Sequence, residues 1–229
     1  MFGRRMIGPV LLAGVLGAGA GYLYGAVGCD LNDPDRDVKR LFPGSTGYET
    51  VYVSISQKGG ADLLRAIEAR LGDSFKGLFE TAEVPYTMYR ILRGQELIGY
   101  IHGVNQKGRY GGIQVFLALD LQGTIRAFYI QKLTSRQARL LRSPEFGRQF
   151  EGLSLTDFYA YSPVTGRAPV SSRVSAIANP AAEAEDDFRS TLRAVKKNLI
   201  LVDEFLLGNA HLPGPKARNG GEAGTRSEP

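Results

Sequence analysis

The chain has 229 residues, 43% of them hydrophobic, a formal net charge of +5, one cysteine, two histidines and no tryptophan. That content supports one globular body with a real core. Basic and acidic residues alternate along the chain, with no dense basic stripe interleaved with aromatics, so no nucleic-acid partner is expected.

Arg4 and Arg5 precede an uncharged run from Met6 to Gly28, and the first acid is Asp30. Basic, then apolar, then polar is the layout of an export signal or a signal anchor. The run is long enough to cross a bilayer as a helix, which takes roughly 20 residues. Arginines at its start keep the N-terminus in the cytoplasm and send the rest outward. Residues 1–29 are therefore predicted to be a signal peptide or membrane anchor, with the body on the periplasmic side of the cell inner membrane. Cys29 follows Ala26-Val27-Gly28, an order that resembles the lipobox of bacterial lipoproteins. Lipidation at Cys29 and an unmodified cysteine behind a signal anchor are the two readings. In the first, Asp30 resembles an inner-membrane retention signal.

Residues 30–47, with Pro34, Pro43 and several acids, are predicted to be a polar linker, and residues 48–207 the folded domain. Glu49 to Ser56 alternates as a half-buried strand does, and Ala61 to Leu71 has helical spacing up to Gly72. Phe75 to Glu83 is a short helix or a loop. Tyr86–Leu92 and Glu96–Val104, joined by Arg93-Gly94-Gln95, predict a hairpin. Gly112 to Leu121 places Ile113, Val115, Leu117 and Leu119 on one face. A turn at Asp120–Gly123 leads into Thr124–Leu133, whose apolar residues point to burial on both faces. Short helices are expected at Ser135–Leu141 and from Ser143-Pro144-Glu145, and an irregular stretch over Thr156–Ser172. Ala181 to Leu207 is the longest predicted helix, opened by Asn179-Pro180, with Phe188, Leu192, Val195, Leu199, Val202 and Leu206 as its core stripe. Residues 208–229 are predicted to be a disordered tail. The fold class expected is α+β: an antiparallel meander packed against helices, with a long C-terminal helix and an N-terminal membrane anchor.

Chemistry-bearing motifs are few. His102 and His211 lack a second ligand at fixed spacing, so no metal site is expected. His102 reads as a half-exposed strand residue. No serine or cysteine nucleophile motif is present, and no catalytic residue is assigned. Gly108-Arg109-Tyr110-Gly111-Gly112 is either a turn between strands or a ligand loop whose glycines allow close backbone approach.

Gly99-Tyr100, Gly108-Arg109-Tyr110-Gly111-Gly112-Ile113-Gln114-Val115 and Leu119-Asp120-Leu121-Gln122-Gly123-Thr124-Ile125 together resemble the FMN-binding domain family. That family includes the small flavoprotein subunits of sodium-pumping NADH:quinone reductase and of Rnf complexes, and the periplasmic part of the nitrous-oxide regulator. Phe146–Gly152 and the closing helix around Arg193-Ala194-Val195 extend the resemblance over residues 99–207. It implies an exported, membrane-tethered domain serving a membrane electron-transfer system, with membrane redox-complex subunits as partners. Two departures follow. The family's Ser-Gly-Ala-Thr, whose threonine is esterified to FMN, is replaced by Ile177-Ala178-Asn179-Pro180. Its Glu-Thr-Pro-Gly loop is replaced by Thr134-Ser135-Arg136-Gln137. The resemblance therefore implies FMN held non-covalently, at Tyr110, Gly111 and Gly112, with Arg136 and Arg139 as phosphate partners beside Arg142. Two alternatives are a flavin-free structural or assembly subunit and a periplasmic small-ligand-binding lipoprotein.

Overall fold

The computed structural model describes residues 29–76 and 79–213. The Met6–Gly28 run and the tail from residue 214 lie outside the described residues.

Five strands form one antiparallel sheet in the order of the chain: β1 (Gly47–Val53), β2 (Tyr86–Arg93), β3 (Glu96–Lys107), β4 (Gly112–Leu119) and β5 (Ile125–Leu133). This is the expected meander, and the hairpin turn holds Gly94 at φ 61°. Period-2 alternation assigns the faces. Met88, Val104, Val115 and Leu117 point to an inner face, whereas Tyr89, Ile101, Phe116 and Ala118 point to an outer one. Both sides of the central strands are buried.

On the inner face lies α7 (Glu185–Phe205), across β3 and β4, with Phe188, Leu192, Val195, Leu199 and Val202 buried as the stripe required. Beside it pack α2 (Ile55–Lys58), α3 (Gly60–Leu71) and the short helices α4 (Ala138–Leu141), α5 (Pro144–Arg148) and α6 (Leu155–Phe158). Phe128 stacks on Phe150 at 4.3 Å between ring centroids, sealing the core under α5.

The outer face is covered by the segment expected to be a linker. Residues 34–41 form α1 (Pro34–Leu41), capped by Asp33 and started by Pro34, with acids in its first turn and Lys39 and Arg40 in its last. Those are favourable helix-end charges. Cys29, Leu31, Val38 and Phe42 bury themselves against Tyr89, Ile91, Ile101 and Phe116. Two glycines of β3 make room on this face. A Cβ at Gly99 would stand 2.7 Å from the Phe42 ring, and one at Gly103 2.4 Å from the Phe116 ring. The architecture is thus three layers: α1 and its leading residues, the sheet, and α7 with its companions.

Other boundaries also differ from expectation. β1 ends at Val53 because Ser54 and Gln57 form a reciprocal capping box that starts α2. Asn179 accepts from the Ala181 amide and opens a 3-10 turn at Ala182–Ala184, one turn before α7 begins. Residues 208–213, expected in the tail, are anchored. The His211 amide donates to Asp203, and its ring lies 2.7 Å from the Gln122 carbonyl.

Candidate functional site

The sequence-predicted residues fall into two places. Residues 108–111 close the β3–β4 hairpin, with the Gly108 amide donating to the Gly111 carbonyl at 2.8 Å. The loop docks on the start of α7. The Arg109 amide donates to Asp187 at 2.8 Å, and the Arg109 guanidinium pairs with Asp186. Tyr110 is exposed, with Arg109 5.5 Å from its ring. The room beside Gly111 and Gly112 is already occupied: a Cβ at either would stand 3.1 Å from Thr134 and Phe79 respectively. These glycines admit protein side chains.

Arg136 and Arg139 follow β5, both exposed, and neither pairs with an acid among the described residues. Arg139 and Arg142 line one shallow recess of about 600 Å³ with Ala138, Ser143 and Pro144. Arg142, Ser143 and Pro144 also line a groove of about 450 Å³ along Ala127–Ile130 of β5. Into that groove come Arg40 from α1, stacked 4.0 Å over the Tyr129 ring, and Arg148 and Gly147 from α5. Arg142 is positioned by donating to the Ile130 carbonyl at 3.1 Å. Arg148 shares its charge with Glu145, and Arg40 with Asp37. Guanidinium groups thus converge from three elements beside an aromatic ring, a set suited to a phosphate next to a planar group. Arg136 lines neither cavity.

A third feature escaped sequence reasoning. Arg193 on α7, nearly buried, donates to Asp73 at 2.9 Å, to Gln106 at 2.7 Å, to the Ser74 carbonyl at 3.0 Å and to both oxygens of Glu80. One turn on, Lys197 donates to Glu80 at 2.8 Å and to the Asn105 carbonyl at 2.6 Å. Burial alone would raise the Glu80 carboxyl, but Lys197 and Arg193 overcome it and hold it below its ordinary value. Burial pulls Lys197 down to about 8 against that attraction. The network pins the 72–85 connection to α7 and β3, and it backs a cleft of about 420 Å³ lined by Lys76, Phe79, Lys107, Arg109 and Ser190. All five N–H groups of Arg193 are directed at protein acceptors, so the network is structural.

His102 is completely buried, a correction to its half-exposed reading. Asn198 uses its amide nitrogen on the His102 and Val115 carbonyls, so its oxygen accepts from His102 Nδ1 at 2.9 Å. Burial, with Lys197 adding to it against the Asn198 bond, pushes this imidazole down to about 4.

At Ile177–Pro180, where the resemblance would put a flavin-attachment motif, the Ala178 amide and carbonyl are both bonded to Gln149, and no hydroxyl is present. Thr191 is buried, its hydroxyl donating to the Asp187 carbonyl at 2.8 Å. The residues present do not fit a covalent flavin. Cys29 is buried, and burial holds its thiol well above the ordinary value. Among the described residues no cluster of three candidate ligands could hold a metal, and no helix is long and apolar enough to cross a membrane. No family model and no curated protein matches the chain.

Proposed function

We propose that this protein is an extracytoplasmic domain, tethered by its first residues to the cell inner membrane, that holds FMN non-covalently in the service of a membrane electron-transfer system. The observation that carries the reading is the groove along β5, where Arg40, Arg142 and Arg148 converge beside Tyr129, with Arg139 in the adjoining recess. The arginines would take the phosphate, and the isoalloxazine would lie along the groove beside Arg40, whose guanidinium covers the Tyr129 ring. When bound, FMN supplies the electron chemistry, and the protein supplies binding and orientation. No acid–base machinery is assigned, so the role is that of a carrier or accessory subunit.

Tethering rests on Arg4-Arg5 and the uncharged run after them. Burial of Cys29 supports the signal-anchor form over the lipoprotein form, because a glyceryl group on its sulfur would displace that side chain from the outer-face core.

Titrating purified protein with FMN tests the reading. Arg142→Ala and Arg139→Ala should each weaken binding by about 1.5–3 kcal/mol if they hold the phosphate, which is roughly tenfold to a hundredfold. Any flavin should come away on denaturation, leaving no fluorescent band at the protein's mass. Wild type that binds no FMN would overturn the proposal. A flavin-free structural subunit then takes its place, a reading supported by the protein side chains that fill the space beside Gly111 and Gly112.

A further inference from the structure

We infer that the β3–β4 hairpin end of the sheet lies flush against the bilayer, its outer face beside the tether being the docking surface for lipid headgroups. This rests on the tether reading above and adds the orientation of the domain.

The argument is one of chain length. On the tether reading, the 23 residues from Met6 to Gly28 crossing as a helix at ~1.5 Å per residue would reach roughly 35 Å, little more than the hydrocarbon core of about 30 Å. No slack follows it. Cys29 is already buried on the sheet, and the next residues are clamped. Asp30 accepts from the Thr87 hydroxyl at 2.6 Å, the Leu31 amide donates to the Tyr89 hydroxyl at 3.1 Å, and Gln131 bonds both the Asp30 carbonyl and the Asn32 amide at 2.9 Å. The residues that would have served as a spacer are consumed by α1. With the chain crossing as a signal anchor, the membrane surface must come within a residue or two of Cys29.

Thr87 lies at the start of β2 and Gln131 near the end of β5, so the chain arrives at the end of the sheet that carries the 108–111 hairpin. That end bears the two exposed aromatic side chains found among the described residues. Tyr52, 67% exposed, is the cross-strand partner of Thr87, and Tyr110, 54% exposed, is at the hairpin tip. Exposed Lys107 and Lys132 flank them. Tyrosine favours the headgroup level, with its ring toward the acyl region and its hydroxyl in water, and lysine reaches from the same zone to phosphate. Asp30, already held by Thr87, and the Arg109–Asp186 pair keep the patch from being strongly cationic, so a zwitterionic surface suffices.

The chain has no tryptophan, which makes single insertions clean probes. Full-length protein carrying Tyr52→Trp, Tyr110→Trp or, at the opposite β4–β5 turn, Leu121→Trp would be reconstituted into phosphatidylcholine vesicles with acyl chains brominated near the headgroup. Roughly half of the emission should be lost for the first two variants, and little for Leu121→Trp, a full strand length away at ~3.3 Å per residue. Protein that floats with the vesicles but shows equal emission at all three positions overturns this orientation and leaves the tether standing. Protein that does not float with them sinks the tether reading, and this inference with it.

Discussion

Arg193 and Glu80 meet through both carboxylate oxygens, joining the long C-terminal helix to the connection between α3 and β2. Both side chains are more than nine-tenths buried. Removing one partner leaves the other as an uncompensated buried charge, which costs about 3–5 kcal/mol. Arg193→Ala should therefore lower the urea midpoint strongly and expose the 72–85 connection to proteolysis. Replacing Arg193, Glu80 and Lys197 together by apolar residues should cost less than Arg193→Ala. If Arg193→Ala unfolds at the wild-type midpoint, the network is not what holds this connection.

His102 makes folding sensitive to acid. Its folded pKa of about 4 lies below the ordinary 6.5, so between those values the unfolded chain carries a proton that the native state does not. Stability from this group is present above pH 6.5 and is lost as pH falls toward 4, by up to about 3 kcal/mol. His102→Gln should flatten the stability profile over that window relative to wild type. An unchanged slope between pH 4 and 6.5 would show that carboxylates alone cause the acid sensitivity.

Close approach on the outer face gives a prediction with its own control. Gly103→Ala would drive a methyl into the Phe116 ring, whereas a Cβ at Gly47 meets nothing within 4 Å. The first should cost about 1–3 kcal/mol, and the second should stay within about 0.5 kcal/mol. Differential scanning calorimetry of the two variants decides. Equal melting temperatures would mean that the Phe116 ring does not lie over Gly103, its cross-strand partner, as described.

Cys29 should be unmodified. The intact mass of membrane-extracted protein should carry no acyl groups, and Cys29→Ser should stay in the membrane fraction. Detection of a diacylglyceryl adduct would restore the lipoprotein reading and require residues 29–32 to leave the sheet.

The strands were legible because both the alternation and the glycine turns are local properties. Ile113, Val115, Leu117 and Leu119 announce one face without knowledge of any partner. The charged interior was not legible. Arg193 and Lys197 are four residues apart and so share a helix face, but nothing local distinguishes a buried pair from a solvated one. Their partner Glu80 lies 113 residues away in a stretch without periodicity. His102 looked half-exposed for the same reason, since Asn198, which satisfies it, belongs to a distant helix. The α1 signals were present in the sequence: Asp33 as cap, Pro34 at the first position and basic residues at the end. They were outweighed by prolines read as breakers. Of the proposed ligand residues, sequence brought Arg139 to the edge of the groove. Arg40 and Arg148 were missed because α1 and α5 meet only across β5.

Every strand of the sheet pairs with its neighbour in the chain, yet the helix that covers the inner face is made last. A polypeptide emerging N-terminus first can complete its meander while Met88, Val115 and Leu117 still lack their cover. The domain therefore cannot close its core until residues 185–205 have left the ribosome. Truncation anywhere before α7 leaves the inner face of the sheet without this helix over β3 and β4, a species prone to aggregate, so the order of synthesis makes the C-terminal helix the step that commits this protein to its fold.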